Sequence, residues 1–298
     1  MSSTALVTGG NGFIGAWIAR RLMARGIAVR VLDLDVNPAR ARAIIGALAD
    51  GVEWRSGDVS DGRAVREAAR GCGLLVHLAA VLTPACQADP IRGAHINLLG
   101  TLNVFEAARA EGIERVIYMS SAGVFGPDDG VHPRPTTHYG AFKLAGEGCA
   151  RAYHADHGIA SAGFRPLVVY GPGREVGLTA GPTLACRAAA RGEPYTIPFS
   201  GESDFVFVDD VAAAFEAAAT AELRGAEVYN VVGVRAPVAD LARRIETVVP
   251  GARIDCAGPK VPVCAAIEPG RLREVFSGVP LTGLDEGLRR TVDFYAER

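Results

Sequence analysis

Short apolar, partly β-branched runs alternate with longer amphipathic stretches through the first half of the chain. Thr4-Ala5-Leu6-Val7 reads as a buried strand. Ala16 to Arg25 reads as a helix whose apolar face holds Trp17, Ile18, Leu22 and Met23, stopped by Gly26. The alternation continues with a strand over Ala28 to Asp33, a helix over Ala39 to Leu48, a strand over Val52 to Arg55 and a helix over Arg63 to Arg70. Leu74 to Ala80 is apolar without a break, as expected of a central parallel strand covered on both faces. A helix over Ala94 to Ala110, a strand over Arg115 to Met119, a helix from Tyr139 to His157 and a strand over Ala162 to Tyr170 complete the series. Helix-length connections between strands predict an α/β fold with a doubly wound parallel sheet. From Arg174 onward the pattern loosens. Helices over Pro182 to Arg191, Asp209 to Ala221, Val238 to Val248 and Leu284 to Glu297 mix with short strands. The division expected is a core over 1–173 and a smaller, partly helical C-terminal substrate region over 174–298, with 201–232 returning to the core.

Composition narrows the class. The chain has 298 residues, 49% hydrophobic and 21% charged, with a formal net charge of −2. These are globular values, and the length suffices for a large core. No basic run argues for nucleic acid, and no apolar run approaches the roughly 20 residues of a membrane span. The first strand starts within a few residues of Met1, which is expected to leave no room for a signal peptide. Six cysteines without a C-x-x-C pair fit reduced thiols in a cytoplasmic protein, and no metal site is expected.

The candidate chemistry begins between the first strand and helix, at Thr8-Gly9-Gly10-Asn11-Gly12-Phe13-Ile14-Gly15. Glycines there permit a tight turn, close approach of phosphates to the backbone, and close packing of helix on strand. A plain βα turn would also use glycine, so context decides. Asp33 ends the second strand 18 positions after Gly15, near the roughly 20 expected of a carboxylate that takes the adenosine ribose hydroxyls. It would repel a 2′-phosphate, and Leu34 and Asp35 offer no cation. NAD is therefore expected over NADP. Tyr139 and Lys143 are spaced i, i+4 on one helix face. A cation beside a phenol favours the phenolate and brings it toward the range of a proton carrier. Ser121 follows a sheet strand at the edge where open α/β sheets bind ligands, placed to hold a substrate oxygen.

These motifs, in this order from Ser3 to about Asp210, resemble the extended short-chain dehydrogenase/reductases, the epimerase/dehydratase group. The glycine loop resembles that group's cofactor loop in its Gly9-x-x-Gly12-x-x-Gly15 register, with Phe13 and Ile14 inside it. Gly57-Asp58-Val59 resembles its adenine contact. His77-Leu78-Ala79-Ala80 resembles its fourth-strand motif, with His77 itself expected to be a packed residue. Asn97 resembles the helix asparagine that completes a tetrad with Ser121, Tyr139 and Lys143, ordering a water or backbone group behind Lys143. Phe207-Val208-Asp209-Asp210-Val211 resembles the motif opening the last third, and Arg165 looks like a structural anchor. The resemblance implies a Rossmann-like fold, bound NAD, and a homodimer through the helices carrying Asn97 and Tyr139.

Departures from the group bear on the substrate. Val168 stands where nucleotide-sugar enzymes commonly have asparagine. Ser203 stands where they often have a diphosphate-gripping arginine, and Phe125 where the serine motif usually has tyrosine. Bidentate arginine–phosphate contacts are strong, so their loss argues against a nucleotide sugar. Thr83, Ser121, Phe125, Arg174, Thr179 and Tyr195 are the candidate substrate contacts. The reading is an NAD-dependent oxidoreductase that interconverts a secondary alcohol and a ketone on a polar, carbohydrate-like small molecule. A nucleotide-sugar epimerase with tightly held NAD is the alternative. A non-catalytic dinucleotide-binding sensor is the remote one, opposed by the complete tetrad.

Overall fold

The computed structural model describes residues 4–298. Ser3, where the resemblance starts, and the first residues of the 1–173 division lie outside them. β1 (Thr4–Thr8), α1 (Phe13–Ala24), β2 (Ala28–Asp33), α2 (Ala39–Ile45), β3 (Glu53–Ser56), α3 (Gly62–Ala69) and β4 (Cys72–His77) alternate as the pattern demands. α4 (Thr83–Ala88), α5 (Pro90–Ala94) and α6 (Gly100–Glu111) follow, with one π-helical turn, His95–Leu99, between the last two. Next come β5 (Arg115–Met119), α7 (His138–His157), β6 (Ala160–Pro166), β7 (Val168–Tyr170), α8 (Gly181–Ala190) and β8 (Tyr195–Ile197). The remainder is β9 (Glu202–Phe207), α9 (Val208–Thr220), β10 (Ala226–Val231), β11 (Val234–Pro237), α10 (Val238–Val248), β12 (Ile254–Cys256), α11 (Leu272–Val275) and α12 (Leu284–Ala296).

Among the described residues, the main sheet runs β10-β6-β5-β4-β1-β2-β3 with every pairing parallel. Alternation along the strands splits the core. Val7, Val31, Val76 and Ile117 face one helical layer, and Leu6, Leu32, Leu75 and Val116 face the other. Strand order reverses at β1 and β4, so a crevice opens at their C-terminal ends between the glycine loop and Leu78-Ala79-Ala80.

The segment Ala162 to Tyr170, expected as one strand, is two. Pro166 offers no N–H to a ladder, and the chain changes sheets after it. β6 stays between β5 and β10, whereas β7 pairs with β9 in a second sheet. The helix expected to reach Leu48 stops at Ile45, because Gly46 takes φ +60°. A second core around Tyr170, Phe199, Phe205, Phe207, Leu241 and Leu288 holds the C-terminal region together. That region is tied back by Asp210, which accepts hydrogen bonds from Thr282 N (2.8 Å) and Thr282 Oγ1 (2.6 Å). No helix among the described residues is long and apolar enough to cross a membrane.

Candidate active site

The glycine loop is shaped by steric necessity. Gly9 has φ +71°, and a Cβ there would lie 2.8 Å from Ala79 N; a Cβ on Gly15 would lie 2.5 Å from Gly9 O. The N-terminus of α1 carries neither a side-chain cap nor an acid in its first turn, so its N–H groups remain for an anion. A groove beside it is lined by Gly9, Gly12, Asp33, Asp58, Val59, Leu78, Ala79 and Ala80. The Asp33 carboxylate is oriented by Asn11 N (3.0 Å), and the Asn11 side chain ties down Asp35 O and Asn37 O at 2.8 and 3.0 Å. Asp58 turns its own loop by accepting from Ser60 N and Ser60 Oγ, both at 2.8 Å. Phe13 turns back onto the core, and Ile14 reaches the next cavity. These features suit a dinucleotide: backbone donors for the pyrophosphate and an acid for the ribose. Sequence reasoning missed Arg40, which enters the groove from α2, two residues into a helix that carries no motif.

Of the catalytic candidates, Ser121 and Tyr139 line a cavity that contacts this loop through Ile14, and Lys143 and Asn97 do not line it. Thr137 caps α7 by accepting from Gly140 N (3.1 Å), which starts the helix so that Tyr139 faces Ser121. Gly140 makes that approach possible, because a Cβ there would lie 2.2 Å from Gly123 O. Ser121 Oγ accepts from Gly123 N at 3.0 Å. Burial pushes the Tyr139 phenol up to about 12, opposed by the neighbouring Ser121 hydroxyl and the Arg174 cation. Lys143 donates to Met119 O (2.7 Å), and its ammonium stands 5.7 Å from the Tyr139 ring centroid. Burial lowers Lys143 to about 8, while Cys86 and Glu147 hold it up. Glu147, fully buried one turn further on, accepts from Ser120 Oγ and from both Nε (2.7 Å) and Nη2 of Arg165. Arg165 is thus an anchor, and the strand end carrying Ser120-Ser121 is tied to the helix carrying Tyr139 and Lys143.

Two expectations concern this neighbourhood. His77 is packed: Nδ1 meets Thr8 Oγ1 at 2.8 Å and Nε2 meets Thr101 Oγ1 at 3.0 Å. Thr101 Oγ1 donates to Asn97 O, which assigns the ring proton to Nε2. Burial and then Lys143 lower His77 to about 3, so it stays neutral. The resemblance implies that Asn97 orders a water or backbone group behind Lys143. Its side chain clamps a backbone group, that of Val81, accepting from N and donating to O at 2.8 Å each, and donates to Cys86 Sγ at 3.2 Å. Its target is the backbone after β4, on the π-helical turn's side of the site.

Of the candidate substrate contacts, Thr83, Ser121, Arg174 and Thr179 line the cavity with Tyr139. Phe125 and Tyr195 do not. Phe125 is 1% exposed and packs under the Arg165 guanidinium at 5.1 Å, because the chain turns inward after Ser121. Tyr195 lies in β8, paired with Ile254 of β12, on the outer side of the second core. Val168 and Ser203 are also buried away from the cavity, at 0% and 1% exposure. The remaining wall is largely apolar, including Leu82, Leu167, Val169, Leu178, Val261 and Val263.

Comparisons with known proteins agree with this geometry. Residues 5–232 match the family described as the NAD dependent epimerase/dehydratase family. The UDP-glucose 4-epimerase of Mycolicibacterium smegmatis is 30% identical, with 98% of each chain covered. The crystal structure of the Thermus thermophilus UDP-glucose 4-epimerase in complex with NAD is 28% identical and covers 98% of each chain, with a TM-score of 0.83. The structure of a partial consensus L-threonine 3-dehydrogenase is 25% identical, covers 99% of this chain and 100% of that one, and has a TM-score of 0.88. Glycine loop, sheet order and sequence together assign the chain to the NAD-dependent epimerase/dehydratase family, as an enzyme with NAD as its cofactor.

Proposed function

We propose that the chain interconverts a secondary alcohol and a ketone by net dehydrogenation or reduction, with Tyr139 as the acid/base. The observation that carries this is the shared cavity of Ser121, Tyr139 and Arg174 at the mouth of the glycine loop, with Lys143 behind Tyr139. Gly9, Gly12, Ile14 and Gly15 would hold the pyrophosphate, Asp33 the adenosine ribose, and Lys143 the nicotinamide ribose. Bound NAD supplies a hydride acceptor or, reduced, a hydride donor. The chain's residues do the rest. Ser121 holds the substrate oxygen by hydrogen bond. In oxidation the Tyr139 phenolate takes the hydroxyl proton; in reduction the phenol returns it to the carbonyl oxygen. Burial keeps the phenol protonated near neutral pH, and the Ser121 hydroxyl and the Arg174 cation favour its ionisation.

Epimerisation of a nucleotide sugar is the second reading, favoured by whole-length similarity to UDP-glucose 4-epimerases. It would use the same residues for oxidation and then reduction. The two readings differ in cofactor turnover. A panel of secondary alcohols, hydroxy acids, polyols and nucleotide sugars is followed by NADH absorbance and by product chromatography. Net NADH from an alcohol supports dehydrogenation. Conversion of a UDP-sugar to its epimer without net NADH overturns it.

A homodimer through the helices carrying Asn97 and Tyr139 is part of the proposal. Ile91 and Leu99, beside those helices, are 72% and 42% exposed. Light scattering tests it, and a monomeric mass would contradict it.

A further inference from the structure

We propose that the substrate is an amphiphilic acid, whose carboxylate pairs with Arg174 and whose hydrocarbon part lies on the apolar wall of the catalytic cavity. This rests on the oxidoreductase reading above and names the substrate class for it.

The wall has few groups that a sugar could use. No Asp, Glu, Asn, Gln or His lines it among the described residues. Four of its six hydroxyls already have a partner: Thr137 accepts from Gly140 N, Ser121 accepts from Gly123 N, Thr179 accepts from Arg174, and Ser120 donates to Glu147. A polyhydroxylated ring entering here would lose its water and find few partners. A hydrocarbon loses nothing and gains burial. The rim repeats the pattern. Leu82, Val176 and Leu178 are exposed by 40, 75 and 41%, and Gly177, at φ +102°, brings the loop against Leu82.

Arg174 is the exception in this apolar setting. It donates to Val169 O and Thr179 Oγ1, each at 2.8 Å, and both acceptors are neutral. Its Nε is enclosed and has no partner. Among the described residues no carboxylate lies within ion-pair distance of it. Arg165 and Arg21, by contrast, are neutralised, by Glu147 and by Asp209 and Glu216, whereas Arg115 and Arg273, also partly enclosed, meet backbone carbonyls only. Burial lowers Arg174 to about 10, as expected of an uncompensated cation. An arriving carboxylate supplies the missing anion and an acceptor for Nε. Arg174 also acts on the Tyr139 phenol, so the carboxylate would sit near the reacting oxygen. That suits an acid with its hydroxyl or keto group close to the carboxylate.

A phosphate of the cofactor is the rival anion. Arg174 lines the cavity of Tyr139 and Ser121 and is absent from the groove of Asp33 and Asp58, although its guanidinium also stands 5.9 Å over the Phe13 ring of the glycine loop, so NAD affinity is the measurement that separates the two anions.

The test is calorimetric binding of octanoate, methyl octanoate and UDP-glucose to the NAD-loaded protein, with NAD affinity measured separately. Wild type should bind octanoate roughly tenfold or more tightly than the ester. Arg174→Gln should abolish that preference, Arg174→Lys should keep part of it, and NAD affinity should change little in either. Equal binding of acid and ester by wild type overturns the inference, as does tighter binding of UDP-glucose. A loss of NAD affinity matching the loss of octanoate binding in Arg174→Gln overturns it in favour of the phosphate. If Arg174→Gln does not fold, the wild-type comparison and Arg174→Lys decide. Turnover separates the underlying reading. Arg174-dependent octanoate binding without NADH formation from 3-hydroxyoctanoate would uphold the acid site and refute dehydrogenation of such acids.

Discussion

Glu147→Gln removes one charge from a group that touches neither cofactor groove nor cavity, yet it should be felt in both stability and catalysis. The carboxylate is wholly buried, and its partner Arg165 has a side chain only 13% exposed. Removing one partner of a buried pair leaves the other charge uncompensated, at about 3–5 kcal/mol. Glutamine keeps the volume and one acceptor, so the lower end, about 3 kcal/mol, is expected. Against a total of about 5–15 kcal/mol, that is a large fraction. The second effect runs through Lys143, which burial lowers to about 8 and Glu147 helps to hold up. Without Glu147 the ammonium loses its proton at lower pH. Lysine is charged below its pKa and neutral above it, so the supporting charge behind Tyr139 would be lost nearer neutrality. The assays are urea unfolding and the pH dependence of kcat/KM for alcohol oxidation. The variant should unfold at clearly lower urea, and its alkaline fall-off should move to lower pH. An unchanged unfolding midpoint together with an unchanged alkaline limb would refute both halves of the reasoning.

Gly140→Ala should cost roughly 1–3 kcal/mol by overpacking against Gly123 O, and about 100-fold in kcat by displacing Tyr139; circular-dichroism melting and steady-state kinetics measure the two, and wild-type kcat would remove the steric argument. Asp33→Ala should weaken NAD more than NADP, since it deletes the ribose acceptor while Arg40 remains in the groove; equal loss for both cofactors, by fluorescence titration, would contradict that assignment.

Much of the fold is readable because its signals are local. Apolar runs, helical spacing and stop glycines place β1, β2, β5, α7 and α10 within a residue or two. The glycine loop, Asp33 and the Tyr139–Lys143 pair are also readable, since fixed spacing carries their geometry. What escapes depends on partners distant in sequence. The split after Pro166 needs β9 to receive β7. α4 is six residues long, too short for a periodic signal. Tyr195 and Phe125 look available because sequence shows neither β12 nor Arg165 beside them. The isolation of Arg174 is a property of its surroundings, and only the folded chain reveals that, among the described residues, no carboxylate pairs with it, the adjacent Glu175 turning to Arg187. The wall of the catalytic cavity is set in part by Val261 and Val263, far from any motif.

The central claim is that the Tyr139 hydroxyl carries the proton. Tyr139→Phe removes that oxygen and leaves the ring in its packed place. NAD affinity by fluorescence titration and turnover by NADH absorbance are measured side by side on the substrate found in the panel. The account predicts near wild-type NAD binding with turnover reduced by about 100-fold or more. Wild-type turnover in Tyr139→Phe would contradict it.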